Sequence, residues 1–226
     1  MKTFLFYKRF FAAAISVFMV FFLSACAPDI TIQATASDGA TVSFKTGFSK
    51  SAEQTIQAII GTVSGGSDAS ASLFNADDIT VMMQRAGLQN VTTVAPDATQ
   101  IATKGTAQSL SVGALAQTHI LTRTQKSLTL ALGATQFQAL YALLDEETQA
   151  YFDLMMIPAL SDETMTPAAY NALLASVYGQ TFADEITQGV FTITLRSPDG
   201  KKQTTAKATV GELLTLTAEK KWTVAW

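Results

Sequence analysis

Two turn signals, one near each end of the chain, constrain the fold most. Near the N-terminus Ile30, Ile32 and Ala34 alternate with polar residues, Ser37-Asp38-Gly39 follows, and Val42 and Phe44 resume the alternation. Near the C-terminus Phe191, Ile193 and Leu195 alternate, Ser197-Pro198-Asp199-Gly200 follows, and residues 201–209 pair back. An Asp-Gly pair between runs of period two signals a hairpin, because the turn needs residues that tolerate positive φ. The alternation then puts one face of each strand into a core. Leu214 and Leu216, then Trp222, Val224 and Trp226, alternate once more, and residues 211–216 also fit a short helical turn. Strands first and last with helices between argue an α+β fold, not a series of βαβ units. The expected layout is an antiparallel sheet built from the N-terminal and C-terminal hairpins, covered by the central helices.

The helices are read from period 3.6. Ile56, Ile59, Ile60 and Val63 form a face after Ser51 and Gln54, which have capping-box spacing. A small-residue loop over 64–74 follows. Asn75 then caps a helix carrying Ile79, Met82, Met83 and Ala86, with Asp77 and Asp78 at its positive end and Gly87 as its stop. Strands are expected over 89–95, near 100–104 and 118–123, and over Ser127–Leu132. The helical centre spans 135–178, with Phe137, Leu140, Tyr141 and Leu144 on one helix. Thr166 caps another and Pro167 takes its first position, where a missing N–H costs nothing. That helix buries Tyr170, Leu173, Leu174, Val177 and Tyr178 and stops at Gly179; a short one with Phe182 and Ile186 ends at Gly189.

The segment from Met1 to Cys26 stands apart. Lys2, Lys8 and Arg9 precede 14 uncharged residues, Phe10 to Leu23. That length suits the apolar region of an export signal, roughly 7–15 residues, and falls short of the ~20 needed to span a bilayer. Leu23-Ser24-Ala25-Cys26 closes the run, and Cys26 is the single cysteine of the chain. The segment resembles the lipobox signal of bacterial lipoproteins, and the likeness covers residues 1–26 alone. It implies that the Cys26 thiol receives a diacylglyceryl group, that residues 1–25 are cleaved away, and that the new amine is acylated. Residues 26–226 are then a single domain on a very short tether. Ala27 after the cysteine, where an Asp would favour retention at the inner membrane, favours the outer membrane if the cell has one. Otherwise the place is the outer face of the cytoplasmic membrane.

Of the 226 residues, 48% are hydrophobic and 15% charged, so the chain can bury a core without disulfides. The whole chain carries 15 basic and 18 acidic residues. Removing residues 1–25 takes three basic and no acidic ones, leaving 12 against 18, a charge of −6. An acidic domain does not suit nucleic acid, whose binding rests on phosphate neutralisation by Lys and Arg. One Cys and one His leave too few ligands for the common zinc sites and no disulfide framework. No phosphate loop, dinucleotide fingerprint, EF-hand or nucleophile elbow is present. No cofactor, metal site or catalytic residue is assigned.

His119 lies in a Thr-rich segment with no motif to orient it and reads as an ordinary histidine. Asp145, Glu146, Glu147 and Asp153 are the densest carboxylates. A pair held ~5–10 Å apart across a cleft would do glycosidic acid–base work, but the first three sit where a helix N-terminus favours negative charge. Tyr151, Phe152, Met155 and Met156 are four large apolar residues in six positions, with Pro158 shortly after. Successive helical residues point ~100° apart, so the four span too broad an arc for one buried face. They are expected to form an interaction surface. The chain thus reads as a membrane-anchored envelope lipoprotein, a non-enzymatic interaction or ligand-binding module. Its partners would be the membrane, through the lipid, and a protein or apolar ligand. The alternative is an envelope hydrolase using a carboxylate pair.

Overall fold

The computed structural model describes residues 28–63, 75–85, 87–97, 99–112, 114–142, 146–161 and 163–226. Cys26, residues 1–25 read above as an export signal, and the loop read over 64–74 lie outside the described residues. The fold is α+β. Both hairpins form: β1 (Asp29–Ala34) pairs antiparallel with β2 (Ala40–Gly47), and β7 (Val190–Arg196) with β8 (Gln203–Thr209). They join through β1 and β7, which run parallel, so the sheet is mixed where an antiparallel one was expected. The connection explains this. The strand two places from β1 that pairs antiparallel with β2 on its other side runs in the direction of β1; the chain leaving it crosses the helical centre before β7 enters beside β1, and parallel strands need such a long crossover.

β3 (Leu88–Asp97) and β4 (Gln100–Ala107) extend the sheet to the order β3-β4-β2-β1-β7-β8. Both were legible as short strands, but the pairing of β4 with β2 and of β3 with β4 was not. A Cβ at Gly39 would lie 2.3 Å from the Ala107 carbonyl oxygen, so the first turn must be glycine to pack against the end of β4. The last strand, β9 (Lys220–Ala225), leaves the main sheet and pairs with β6 (Ser127–Leu132), which also pairs with β5 (Leu121–Arg123). Arg123 links this small sheet to the first hairpin, donating to the Gly39 and Thr35 carbonyls at 2.7 and 2.8 Å. Its guanidinium also lies 5.5 Å from the Trp226 ring centre.

Register shows how the main sheet makes its core. Ile30, Phe44 and Ile193 share one row, and Ile32, Val42 and Leu195 the next. All point to one face, and five of the six are buried. Helices cover that face. On α1 (Lys50–Val63) Ala52 and Ile56 are buried. Its cap is Ser49 rather than Ser51: Ser49 Oγ accepts from Ala52 N at 3.1 Å. Ser49 N and Oγ also donate to the two carboxylate oxygens of Glu185 on α7 (Gln180–Gln188), which fastens the two helices together. On α2 (Ala76–Arg85) Asn75 caps as expected, Ile79 and Met83 are buried, and Thr80 Oγ1 donates to Thr93 Oγ1 of β3 at 2.9 Å.

A short α3 (Ala114–Gln117) precedes β5, and α4 (Ala134–Tyr141) and α5 (Glu146–Leu154) follow β6. On α6 (Pro167–Tyr178) Thr166 Oγ1 accepts from Ala169 N at 3.2 Å, with Pro167 at the first position. Tyr170 and Leu174 are wholly buried, whereas Val177 in the last turn is 55% exposed. Gly179 turns the chain from α6 into α7 at φ +89°, a value that L side chains resist. The helical option near the C-terminus is realised as α8 (Val210–Leu214), with a complete capping box between Thr209 and Glu212.

Candidate functional site

The segment expected to be an interaction surface is mostly core. Phe152 and Met155 are 4% and 1% exposed, which removes both from any surface, and Met156 is half-buried. The side chain of Tyr151 lies outside the described residues. Only a continuing helix would spread the four over a broad arc, and the helix does not continue. α5 ends at Leu154, and Met156 adopts the left-handed region at φ +49°. The chain therefore turns there, and Ile157, Pro158 and Ala159 are buried in their turn. A helix end exposes carbonyls that no later N–H reaches. Here Phe152 O accepts from Met155 N and Asp153 O from Met156 N, each at 3.0 Å. Leu154 O accepts from the Tyr178 hydroxyl at 2.7 Å and Met155 O from the Tyr170 hydroxyl at 2.9 Å. Two tyrosines of α6 thus cap α5. The apolar stripe of α6 was legible, but the hydroxyl partners, 24 and 15 residues away, had no local signal.

Burial pushes all three phenols of this region up. For Tyr170, which is buried completely, the next cause is its neighbour Tyr178. For Tyr141 burial comes first, then the hydrogen bond to Asp153 and its charge. Burial alone raises Tyr178. Each stays protonated at neutral pH and acts as a donor rather than as an acid–base group.

Asp153 is exposed and accepts from Tyr141 Oη at 2.8 Å, an exposed bond beside α4. Asp145 and the side chains of Glu146 and Glu147 lie outside the described residues. His119 is exposed in the turn before β5, at φ +53°, and its backbone N donates to Ala116 O at 3.2 Å. A general base must be oriented by a partner, and among the described residues no hydrogen bond holds the His119 ring. No group of three His, Cys, Asp or Glu among the described residues has metal-site geometry. Asp38 is held below the usual carboxylate range, first by the Ser109 hydroxyl and then by that of Ser111. Those contacts, with Leu110 N donating to Asp38 O at 2.8 Å, tie the loop after β4 onto the first hairpin.

One feature of the surface was not read from the sequence: the second face of the main sheet. Its rows run Ala102–Lys45–Asp29–Thr192–Lys207, then Lys104–Ser43–Thr31–Thr194–Thr205, then Thr106–Thr41–Gln33–Arg196–Gln203. These positions alternate with the core positions, so they point away from it. None of the fifteen is buried, and Lys45, Lys104, Arg196 and Lys207 are exposed. Among the described residues the one ion pair is Lys221–Glu219, which lies off this face. Four cations therefore stand on the face with Asp29, and with Asp97 at its corner beyond Gln100. The stretch of sequence that supplies α4 to α7 is opposite in character. Residues 127–195 carry eight acidic side chains and no Lys, Arg or His. The signal was present in the sequence as single basic residues at outward strand positions, but register was needed to collect them. No family model, curated protein or solved structure matches the chain.

Proposed function

We propose that the protein is a lipid-anchored lipoprotein of the bacterial cell envelope whose mature domain is a non-enzymatic interaction or ligand-binding module. The observation that carries this reading is the sequence Leu23-Ser24-Ala25-Cys26, which places the single cysteine where a lipobox needs it. Each buried methylene contributes about 0.8 kcal/mol, so two or more acyl chains would hold the domain at a membrane. The first strand begins at Asp29, three residues after Cys26, which leaves a short tether. Among the described residues no hydrogen bond orients the His119 ring, which favours binding over catalysis. A hydrolase using a carboxylate pair gains no support from Asp153, whose described partner is a tyrosine.

Metabolic labelling with a fatty-acid analogue tests the anchor. The wild type should take up label and sediment with membranes, and Cys26→Ser should do neither. Equal labelling of the two would sink the reading.

A further inference from the structure

We infer that the open face of the six-stranded sheet lies on an anionic phospholipid surface, with the acidic helical layer turned away from it. This orientation deepens the anchoring reading above and rests on it. Three observations meet at this face. First, charge is segregated. Although the domain after residue 25 carries −6, the open face holds Lys45, Lys104, Arg196 and Lys207 against Asp29 and the corner residue Asp97. The turn that Gln33 touches, through Nε2 to Pro198 O at 3.2 Å, adds Lys201 and Lys202 at the far end, with Asp199 beside them. The stretch 127–195, which supplies α4 to α7, has eight acids and no cation. A domain so polarised has a preferred orientation above a negative plane.

Second, the attachment point is tied by a short tether to a strand that carries this face. Asp29 is exposed, opens β1 near the middle of the sheet, and is flanked in its row by Lys45 on one side and Thr192 then Lys207 on the other. Three residues of extended chain reach at most ~10 Å from Cys26 to Asp29. Neighbouring strands are ~4.8 Å apart, so Lys45 and Lys207 stand within roughly 10 Å of the tether point. At physiological salt the Debye length is about 8 Å, so only charges held this close to a surface feel it strongly. The tether supplies that closeness for these two lysines, and tilting the sheet down brings Lys104 and Arg196 in as well.

Third, the face has the chemistry of a headgroup layer. Between its cations stand Thr31, Gln33, Thr41, Ser43, Thr192 and Thr194, none of them wholly buried. Hydroxyls and amides there suit phosphate oxygens and water, and the large apolar side chains it exposes are two separate valines, Val94 on the edge strand β3 and Val190 at the start of β7. The contact is therefore a surface one, reversible by salt, added to the lipid anchor rather than replacing it.

The test uses the lipidated protein in vesicles of phosphatidylcholine alone or mixed with phosphatidylglycerol. Because Cys26 is the single cysteine and its thiol would carry the diacylglyceryl group, Ser43→Cys places one free thiol on the open face, and Ser176→Cys places one on the outside of α6. Labelling by a bulky polymer-linked maleimide is followed in each. Phosphatidylglycerol should slow labelling at position 43 by roughly 10-fold, since each basic residue held near an anionic surface adds a several-fold bias toward it. Position 176 should not change. About 1 M salt, with a Debye length near 3 Å, should abolish the protection. Lys45→Glu with Lys207→Glu, checked for an unchanged circular dichroism spectrum, should abolish it too.

Flotation with both vesicle types but equal labelling at position 43 overturns the orientation and leaves the anchor standing. Flotation with anionic vesicles only supports the face and removes the anchor. No flotation with either removes both. Protection at position 43 in native membranes but not in anionic vesicles means that an acidic partner covers the face, and overturns the lipid assignment.

Discussion

Replacing Tyr170 by Phe removes one oxygen from a completely buried ring whose hydroxyl donates to Met155 O at 2.9 Å. Phe keeps the volume, so no cavity forms. What remains is a helix-end carbonyl in an environment that water does not reach. A buried polar group left without its partner costs roughly 1–3 kcal/mol. Tyr178→Phe removes the neighbouring bond to Leu154 O, but Tyr178 is only half-buried and water can replace the hydroxyl. That change should cost about 0.5–1 kcal/mol. In a domain of this size 1 kcal/mol moves Tm by about 2–4 °C, so Tyr170→Phe should lower it by roughly 2–12 °C and Tyr178→Phe by about 1–4 °C, the smaller of the two. The assay is thermal and urea unfolding of residues 27–226 followed by circular dichroism. The two hydroxyls hold consecutive carbonyls, so the double variant should deviate from additivity, as residues sharing one local structure do. A Tyr170→Phe variant that unfolds at the same temperature and urea midpoint as wild type would refute the cap. So would a Tyr178→Phe loss equal to or larger than that of Tyr170→Phe.

Met155 and Met156 are adjacent yet differ in burial, so Met155→Ser should destabilise by about 2–5 kcal/mol and Met156→Ser by under ~1.5 kcal/mol, read from urea midpoints. Thr46 Oγ1 is a buried oxygen without a hydrogen-bond partner, so the isosteric Thr46→Val should raise stability by roughly 1 kcal/mol in the same assay. Asp38 has its folded pKa depressed by Ser109 and then Ser111, so its contribution is present above the unfolded value near 3.9 and is lost as pH falls through the lower folded value. Asp38→Asn should therefore be less stable than wild type at pH 7, and the gap should close below about pH 4; a gap constant from pH 7 to 2 would count against the linkage.

The hairpins were legible because their information is local. Alternation and an Asp-Gly turn lie within each segment, and Ile30, Ile32, Phe44, Ile193 and Leu195 do share a face. Their parallel junction was not, since no residue of β1 or β7 signals which neighbour it takes across the entire helical centre. β9 shows the same limit from the other side. Its alternation was read correctly, but alternation cannot say that Trp222 and Val224 face Leu130 and Leu128 of a second sheet. Thr166 and Asn75 cap where the spacing puts them, because a cap and its helix are neighbours in sequence. Ser49 displaced Ser51 because Glu185, on a helix far along the chain, holds it.

The site was harder because two kinds of apolar crowding look alike in sequence. Four large side chains from Tyr151 to Met156 signal either an exposed arc or a helix that stops. The distinguishing groups were polar and distant: Tyr170 and Tyr178 supply the donors that let α5 end there, and Met156 can then turn at φ +49°. The basic face was hidden for the converse reason. Lys45, Lys104, Arg196 and Lys207 are each ordinary alone, and they lie on four different strands spread along most of the domain. Sheet pairing moves them to within a few strand spacings of Asp29. The complementary half of the pattern was readable without any structure, since a run from 127 to 195 with eight acids and no base requires the remaining cations to lie elsewhere. With the proposed anchor at Cys26, the tether point would sit among those cations, the charge pattern and the anchor position would favour the same orientation, and a screened, salt-sensitive contact would follow from the two together.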